Sequence, residues 1–311
     1  MFFPCQFKND PSIIYVLMKI KAFLTTDFYT AERDALESLK ENYQRQTDSS
    51  FEIWNIGNPN DTSFPKELSK DNSGDCLYLT DSEPLGKKLL KKGHPVLGIL
   101  HSQNRTSSFQ DFPYLAENLS DLPFDTFIKT YQRFKKLPWH ILDTERMTLR
   151  ETVESDIDRF YEIYADRNNA RFMEPLYDNP EEEIAYFRMY RDQVYRFYGF
   201  GMWTITDKVS KEVIGRAGLN VREGYDSPEL GFILDTNYQH LGRGREICRA
   251  ILKYAFEELD FHSVHAFVHP QNSASVHLLE NLGFHLVKGL TLAIMEQPHL
   301  YYICNYSDVY K

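Results

Sequence analysis

The segment YQHLGRGREICRAILKYAFEEL, residues 238–259, decides the fold of the second half of the chain. A loop with two glycines, Gly242 and Gly244, runs directly into a periodic apolar helix. Glycine permits tight turns and leaves room for a ligand to come close to the backbone. The first N–H groups of a helix have no intrahelical acceptors, and the helix dipole favours negative charge there. The segment therefore predicts an anion-binding loop, with a simple connecting loop as the alternative.

Composition indicates a globular enzyme or binding module. The chain has 311 residues, of which 42% are hydrophobic and 26% charged, and this length favours two domains. Apolar runs such as IIYVLM, residues 13–18, are shorter than the roughly 20 residues of a membrane span, and no signal peptide is evident. We therefore expect a cytoplasmic protein without a membrane partner. The formal net charge of -10 disfavours nucleic-acid binding and would steer a cationic substrate favourably.

Cysteine and histidine spacing predicts neither a metal site nor a disulfide framework. The four cysteines form no CxxC pair, so we expect buried thiols at positions 5, 76, 248 and 304. The histidines of the C-terminal region alternate between strand faces or lie on a separate helix, without an HxxxH pair. They are at positions 262, 265, 269, 277 and 285.

The first part of the chain, residues 1–142, is predicted to be a smaller α/β domain of unknown role. After two predicted helices and a polar loop come the strand CLYLTD, the helix SEPLGKKLLKKG and the strand PVLGILH. Short joints between them predict a right-handed parallel unit, a Rossmann-like βαβ fragment. The tripeptide TDS, residues 80–82, is interpreted as a strand end with Ser82 capping the helix. A phosphatase of the haloacid dehalogenase type would need a second Asp where this chain has Glu83.

The second part, residues 143–311, shows a strand, two helices, three strands and then the helix of the opening segment. A further strand, SVHAFVH, a helix and C-terminal strands follow it. The first two helices are expected near residues 155–165 and 181–195, and the first four strands at residues 147–151, 201–207, 212–221 and 229–234.

The segment from Glu229 to Phe284 resembles the core of the GNAT superfamily of N-acetyltransferases. Its motif is Gln or Arg, two residues, Gly, one residue, then Gly or Ala, and Gln239, Gly242 and Gly244 meet it. TERMTLRE, MWTITDKVSKEVIGRAGL and NSAS...LLENLGF are similar in order and spacing to the branch with ribosomal-protein N-terminal acetyltransferases and spermidine acetyltransferases. In that branch, a glutamate is frequent at the position of Glu246.

This resemblance covers the chain from about residue 143 to its C-terminus. It implies a mixed twisted sheet flanked by helices and an enzyme that uses acetyl-CoA, without metal. The acceptor would be a primary amine of a small molecule or a protein N-terminus. One departure is His240, where family members often have Gly.

The two strands around the opening helix should bind the cofactor. As parallel neighbours joined by a crossover helix they would splay apart, which frees backbone groups for the pantetheine arm of acetyl-CoA. The loop amides would hold the pyrophosphate, and arginine side chains would either add charge or be solvated. The resemblance adds Asn272 and Ser275, which follow the second of these strands. The predicted cofactor residues are Phe232, Ile233, Leu234, Gln239, His240, Leu241, Gly242, Arg243, Gly244, Arg245, Asn272 and Ser275.

The chemistry needs a base and support for a leaving thiolate. An alkylammonium group has a pKa near 10 and must lose a proton before it attacks a thioester. The resemblance places a glutamate at Glu229, for which a solvated strand-end carboxylate is the alternative. Many relatives use a tyrosine at the position of Leu279 to protonate the thiolate. Ser275, one helical turn earlier, is therefore assigned this role, with a helix cap as its alternative.

Acceptor recognition is expected in residues 167–201, which are rich in Tyr and Phe. Glu174, Tyr195 and Tyr198 are the predicted lining residues, although an aromatic stripe at helical spacing also suits a core. Two other functions stay open. The chain would be an acyl-CoA-binding regulatory module if the missing tyrosine means that catalysis is lost. Alternatively, the first part would carry the function, but no motif there supports this.

Overall fold

The computed structural model describes residues 18–47, 49–58, 75–105, 108–117, 119, 122–294 and 297–309. The chain divides into two compact units, Met1–Trp139 and His140–Lys311. This division lies three residues before the boundary expected from the sequence. Cys5 and most of the predicted polar loop fall outside the described residues.

The first unit is a parallel α/β structure. Its strands are β1 (Lys19–Leu24), β2 (Phe51–Asn55), β3 (Cys76–Thr80), β4 (Val96–Leu100) and β5 (Leu115–Glu117), and its helices are α1 (Thr26–Ala31), α2 (Arg33–Gln46), α3 (Glu83–Lys91) and α4 (Phe124–Lys135). The strands form a five-stranded sheet in the order β2-β1-β3-β4-β5, with every neighbouring pair parallel. The predicted β3-α3-β4 fragment is confirmed.

Three strands of this unit were not predicted: β5 and, in the region of the two predicted helices, β1 and β2. The sequence indicated only helices in this region, but β1 is a buried six-residue run, KIKAFL. Short apolar runs cannot be told from buried helical segments by periodicity alone. The predicted cap of α3 is present, because the Ser82 hydroxyl accepts a hydrogen bond from Leu85 N at 3.4 Å.

Polar side chains meet at the carboxyl ends of β1, β3 and β4. The buried Asp81 carboxylate accepts hydrogen bonds from the backbone N–H of Thr25 at 2.8 Å and from the Thr25 hydroxyl. Its Oδ2 also lies 3.2 Å from Nε2 of His101. Asn104 Nδ2 donates to the carbonyl oxygen of Asp81 at 3.1 Å. Because these groups satisfy one another, the cluster braces this edge of the sheet.

The second unit is the predicted mixed sheet flanked by helices. Its strands are β6 (His140–Asp143), β7 (Met147–Arg150), β8 (Met202–Asp207), β9 (Val213–Asn220), β10 (Glu229–Leu234), β11 (Ser263–Val268), β12 (His285–Ile294) and β13 (Gln297–Asn305), and its helices are α5 (Ile157–Ala165), α6 (Arg167–Ala170), α7 (Pro180–Tyr190), α8 (Arg196–Tyr198), α9 (Arg243–Glu257), α10 (Ser273–Asn281) and α11 (Tyr306–Val309). The eight strands follow the order β12-β13-β11-β10-β9-β8-β7-β6. Strands β10 and β11 are parallel, and the other neighbours are antiparallel.

Hydrophobic clusters cover both faces of this sheet. Helix α9 buries a stripe at helical spacing, from Ile247 to Phe256, in a cluster that includes Leu230 and Leu234 of β10. On the other face, Ile233 packs against α5. Alternate residues of β10 thus point to opposite faces, as in any strand. The three described cysteines are buried free thiols, as predicted, and no helix in the described part of the chain is long and apolar enough to cross a membrane.

Candidate active site

Strands β10 and β11 diverge as the sequence predicts. Within the described residues they pair at one position, Glu229 opposite His265, and His265 N donates to Pro228 O at 2.9 Å. Strand β10 nevertheless stays paired with β9 along its whole length. The edge of β10 that faces β11 is therefore open beyond Glu229.

Alternation of the backbone shows which groups face this opening. Pro228 O points to β11, whereas Asp235 N points to β9 and donates to Ile214 O at 2.8 Å. Even-numbered residues of β10 therefore direct their backbone groups into the opening, and Phe232 is one of them. The prediction for Ile233 needs correction, because its backbone groups are directed at β9.

The carbonyl of Leu234 also faces the opening, but it is already bonded. It accepts hydrogen bonds from Asn169 Nδ2 at 2.8 Å and from Gln239 Nε2 at 2.9 Å. The same Gln239 amide donates to Asn169 Oδ1 at 2.7 Å. The Gln239 side chain thus fixes the start of the loop from inside, which corrects the expectation that it contacts a ligand.

The loop before α9 has the geometry that the glycines suggested. Gly242 is the N-cap of α9 with φ of 78°, and His240 has φ of 57°. A left-handed conformation costs a non-glycine residue roughly 1–2 kcal/mol, which explains why glycine suits the position of His240 in relatives. Leu241 between them is exposed. At Gly244, an added Cβ would lie 3.6 Å from the nearest side-chain atom, on Leu278, so alanine also fits there.

An ion pair that the sequence did not reveal holds this loop. Arg146 Nε donates to Glu246 Oε2 at 2.7 Å, and Arg146 NH1 donates to Leu241 O at 2.8 Å. Burial raises the pKa of Glu246, but hydrogen bonds from Thr144 and Arg146 outweigh it and leave this pKa below its ordinary value. The resemblance marks Glu246 as a position where relatives often have glutamate, but it does not identify the partner Arg146, which lies 100 residues away in sequence.

The arginines around the loop have different surroundings. Arg243 forms an ion pair with Asp207 at 2.9 Å and lies over the ring of Tyr238, so its side chain points at the β8–β9 hairpin. This corrects its assignment to the phosphates, for which only its backbone amide remains. Arg245 is exposed and lines an open groove of about 620 Å³ along α9, together with Arg249.

Helix α10 begins beside the opening. Asn272 is its N-cap, with its Oδ1 accepting a hydrogen bond from Ser275 N at 3.2 Å. Ser275 is therefore not the cap, and its half-buried side chain lies in the first turn. Leu279, at the position of the relatives' tyrosine, is 2% exposed and packs in the core.

Glu229 stands where the two strands begin to separate. Its Oε2 accepts a hydrogen bond from Arg222 Nε at 2.8 Å and forms an ion pair with Arg222 NH2 at 2.7 Å, and its side chain is 12% exposed. Burial raises the pKa of Glu229 above its ordinary value, although Arg222 opposes this shift. The negative charge of Glu174 raises this pKa further, which indicates that the two carboxylates are close.

His265 is the buried neighbour of Glu229 on β11. Its ring contacts those of Tyr225 and Phe267, with centroids 4.8 Å and 5.0 Å away. Burial and the charge of Arg222 lower the pKa of His265 to about 4, so the imidazole is neutral at pH 7. Sequence analysis gave neither Arg222 nor His265 a role in the site, since neither belongs to a motif.

Two tyrosines predicted to line the acceptor site lie in different environments. Tyr195 is 1% exposed, and its hydroxyl donates to Met202 O and accepts from Thr152 N at 3.3 Å. It is a core residue, which corrects its assignment. Tyr198 is exposed and packs edge-to-face against Phe197, with centroids 4.9 Å apart. Among the described residues, no group of three or more His, Cys, Asp or Glu side chains could hold a metal ion.

Comparisons with known proteins assign the second unit. Residues 146–285 match the acetyltransferase (GNAT) domain family. An uncharacterized protein of Bacillus subtilis is 30% identical over 95 residues, which are 30% of this chain and 55% of that protein. The chain thus spans about half the length of that relative.

Two further matches have longer coverage. The ribosomal protein uS5-alanine N-acetyltransferase of Escherichia coli is 28% identical over 155 residues, 46% of this chain and 77% of that protein. The crystal structure of an acetyltransferase from Agrobacterium tumefaciens has a TM-score of 0.45 and 27% identity, and the match covers 52% of this chain and 92% of that chain. On the family match, the second unit of this chain carries a GNAT acetyltransferase domain.

Proposed function

We propose that the second unit transfers an acetyl group from acetyl-CoA to a primary amine by direct attack on the thioester. The single-position pairing of β10 and β11, followed by the glycine loop of α9, carries this proposal. The open edge at Phe232 suits an extended, amide-bearing pantetheine arm. The first-turn amides of α9 suit the pyrophosphate, and the exposed Arg245 and Arg249 would add positive charge near it. Asn272 offers its side-chain NH2 group at the start of α10.

In this proposal Glu229 is the general base. The acceptor ammonium gives a proton to the carboxylate, directly or through one water, and the free amine then attacks the thioester carbonyl. The new C–N bond forms as the C–S bond breaks, and the electron pair leaves with the CoA sulfur. The nitrogen then loses its second proton, which passes through solvent to the thiolate and gives the free thiol. A raised pKa brings the carboxylate nearer to a working pH around neutrality, which suits a base.

The leaving thiolate needs only modest help. A thiol has a pKa near 8.5, so its thiolate is a weak base near neutral pH. We propose that the Ser275 hydroxyl or a water molecule donates to it, because Leu279 lies in the core and has no hydroxyl.

We propose a small-molecule amine or a protein N-terminus as the acceptor. The relative from Escherichia coli is named for an alanine of a ribosomal protein, which is a protein acceptor. Glu174 would meet the ammonium group near the site entrance, and the exposed Tyr198 stays a proposed lining residue. We propose residues 143–311 as the transferase domain in a cytoplasmic protein, with residues 1–142 as a separate domain.

The proposed function is tested by an assay of acetyl transfer with the full chain. Free thiol is measured from acetyl-CoA with a panel of primary amines, alongside the acetylated amine by mass spectrometry. Equal amounts of both products support the proposal. Tight acetyl-CoA binding without either product would favour an acyl-CoA-binding module, the alternative to which the buried Leu279 points.

A further inference from the structure

Arg216 is a half-buried cation on the same face of the sheet as Glu229. It lies in β9 opposite Ile233 of β10, and its guanidinium carbon is 4.7 Å from the centroid of the Phe160 ring. Among the described residues it forms no ion pair, and its buried Nε has no hydrogen-bond partner. Charged groups removed from water are normally paired, so this arginine points to a partner that binds from outside the chain.

Two tyrosines, Tyr164 and Tyr186, lie within the electrostatic influence of Arg216. Burial raises the pKa of Tyr164, and Arg216 opposes this shift by its charge and by a hydrogen bond to the Tyr164 hydroxyl. Burial also raises the pKa of Tyr186. The positive charge of Arg216 lowers this pKa, and the negative charge of Glu174 raises it further. Arg216, both tyrosines and Glu174 therefore border one region.

This region extends away from the proposed base along β10. Glu229 and Ile233 are four residues apart, and at about 3.3 Å per residue their backbones are separated by roughly 13 Å. Arg216 lies opposite Ile233, and the long side chains of Arg216 and Glu229 can shorten this span. An acceptor with its amine near Glu229 could therefore place a second group, several ångströms away, beside Arg216.

We propose that the acceptor carries a carboxylate in addition to its amine, and that Arg216 and the Tyr164 hydroxyl bind this carboxylate. The inference rests on the proposed function and narrows its substrate class to ω-amino carboxylates and peptides with an acidic side chain near the N-terminus. The planar guanidinium fork matches the geometry of a carboxylate. A polyamine would place an ammonium group beside an unpaired guanidinium, which like-charge repulsion disfavours.

The test compares matched acceptors with the full chain. The first pair is 6-aminohexanoate and hexylamine. The second pair is two C-terminally amidated peptides that differ only at their second residue, which is Glu in one and Gln in the other. Values of kcat/KM are measured by thiol release for wild type, Arg216→Gln and Arg216→Lys. Arg45→Gln, at an exposed arginine of α2 outside the proposed acceptor segment, is the control variant, and thermal unfolding reports whether each variant folds.

Wild type should prefer the carboxylate member of at least one pair by roughly 10- to 100-fold, the range for one hydrogen bond between charged groups. Arg216→Gln should abolish this preference with little loss for the neutral member, Arg216→Lys should keep part of it, and Arg45→Gln should keep all of it. Equal turnover of both members by wild type, or equal loss for both in folded Arg216→Gln, contradicts this inference alone. If no amine is acetylated, the proposed function fails and this inference fails with it.

Discussion

Replacing Glu229 with glutamine keeps the side chain's shape and removes its capacity to accept a proton. In the folded chain, Oε2 accepts a hydrogen bond from Arg222 Nε at 2.8 Å and lies 2.7 Å from Arg222 NH2 in an ion pair. The amide oxygen of glutamine can accept from the same guanidinium group, so the variant should fold. Acetyl-CoA affinity should stay near wild type, because the proposed pyrophosphate loop lies beyond the other end of β10. Glu229→Gln therefore isolates proton transfer.

General-base assistance is worth typically 100- to 10,000-fold in rate. At about 1.36 kcal/mol per factor of ten, this is roughly 2.7–5.4 kcal/mol of activation free energy. We expect kcat of Glu229→Gln to fall within that range, measured by thiol release at saturating acetyl-CoA. Calorimetry should show unchanged acetyl-CoA binding. A variant with wild-type turnover would refute the role of Glu229.

The pH dependence of kcat/KM gives a second test of the same residue. Burial raises the pKa of Glu229 and Arg222 lowers it, with a net increase above the ordinary glutamate value of about 4.3. Below its pKa the protonated carboxyl cannot accept a proton, so the wild-type rate should rise with pH through this raised pKa. In Arg222→Gln the opposing charge is absent, and the rise should move to higher pH. A rise that stays in place, or that persists in Glu229→Gln, would assign it to another group.

Three further predictions concern binding and stability. Gly242→Val forces a left-handed φ of 78° on a β-branched residue and should weaken acetyl-CoA binding by at least about tenfold. Gly244→Ala is the control and should bind acetyl-CoA like wild type. Equal effects of the two variants in calorimetry would argue against cofactor binding by this loop. Glu246→Gln should lower the free energy of unfolding at pH 7 by roughly 1 kcal/mol, after allowance for solvent screening of the ion pair with Arg146. Because the folded pKa of Glu246 is depressed, this difference should disappear as pH falls below about 4, and a difference independent of pH would contradict it. Asp81→Ala leaves the donors of Thr25 and His101 without their acceptor and should destabilise the first unit to urea by about 1–3 kcal/mol, while an unchanged midpoint would contradict the bracing role.

Much of the second unit could be predicted because local patterns and motifs agree there. The glycine loop, the helix that follows it and the divergence of its flanking strands all follow from residues 229–268. The first unit was harder, because β1 is a short buried run whose partners in the sheet are set by tertiary contacts.

Side-chain partners were the least predictable part of the site. Arg146 and Glu246 are 100 residues apart, and Arg243 contacts Asp207 across the hairpin, so no local spacing reveals either pair. Tyr195 lies in a segment whose aromatic residues suited both a pocket and a core, and its burial decides for the core. A sequence can place a residue on an element, but tertiary packing decides whether its side chain faces a ligand.

The most direct test of the central claim is the stoichiometry of acetyl transfer by the full chain. Acetyl-CoA and a primary amine are incubated with the protein, and free thiol and acetylated amine are quantified together. The account predicts one acetylated amine for each thiol released, with both products greatly reduced in Glu229→Gln. Thiol release without acetylated amine, or tight binding of acetyl-CoA without either product for every amine, would contradict it.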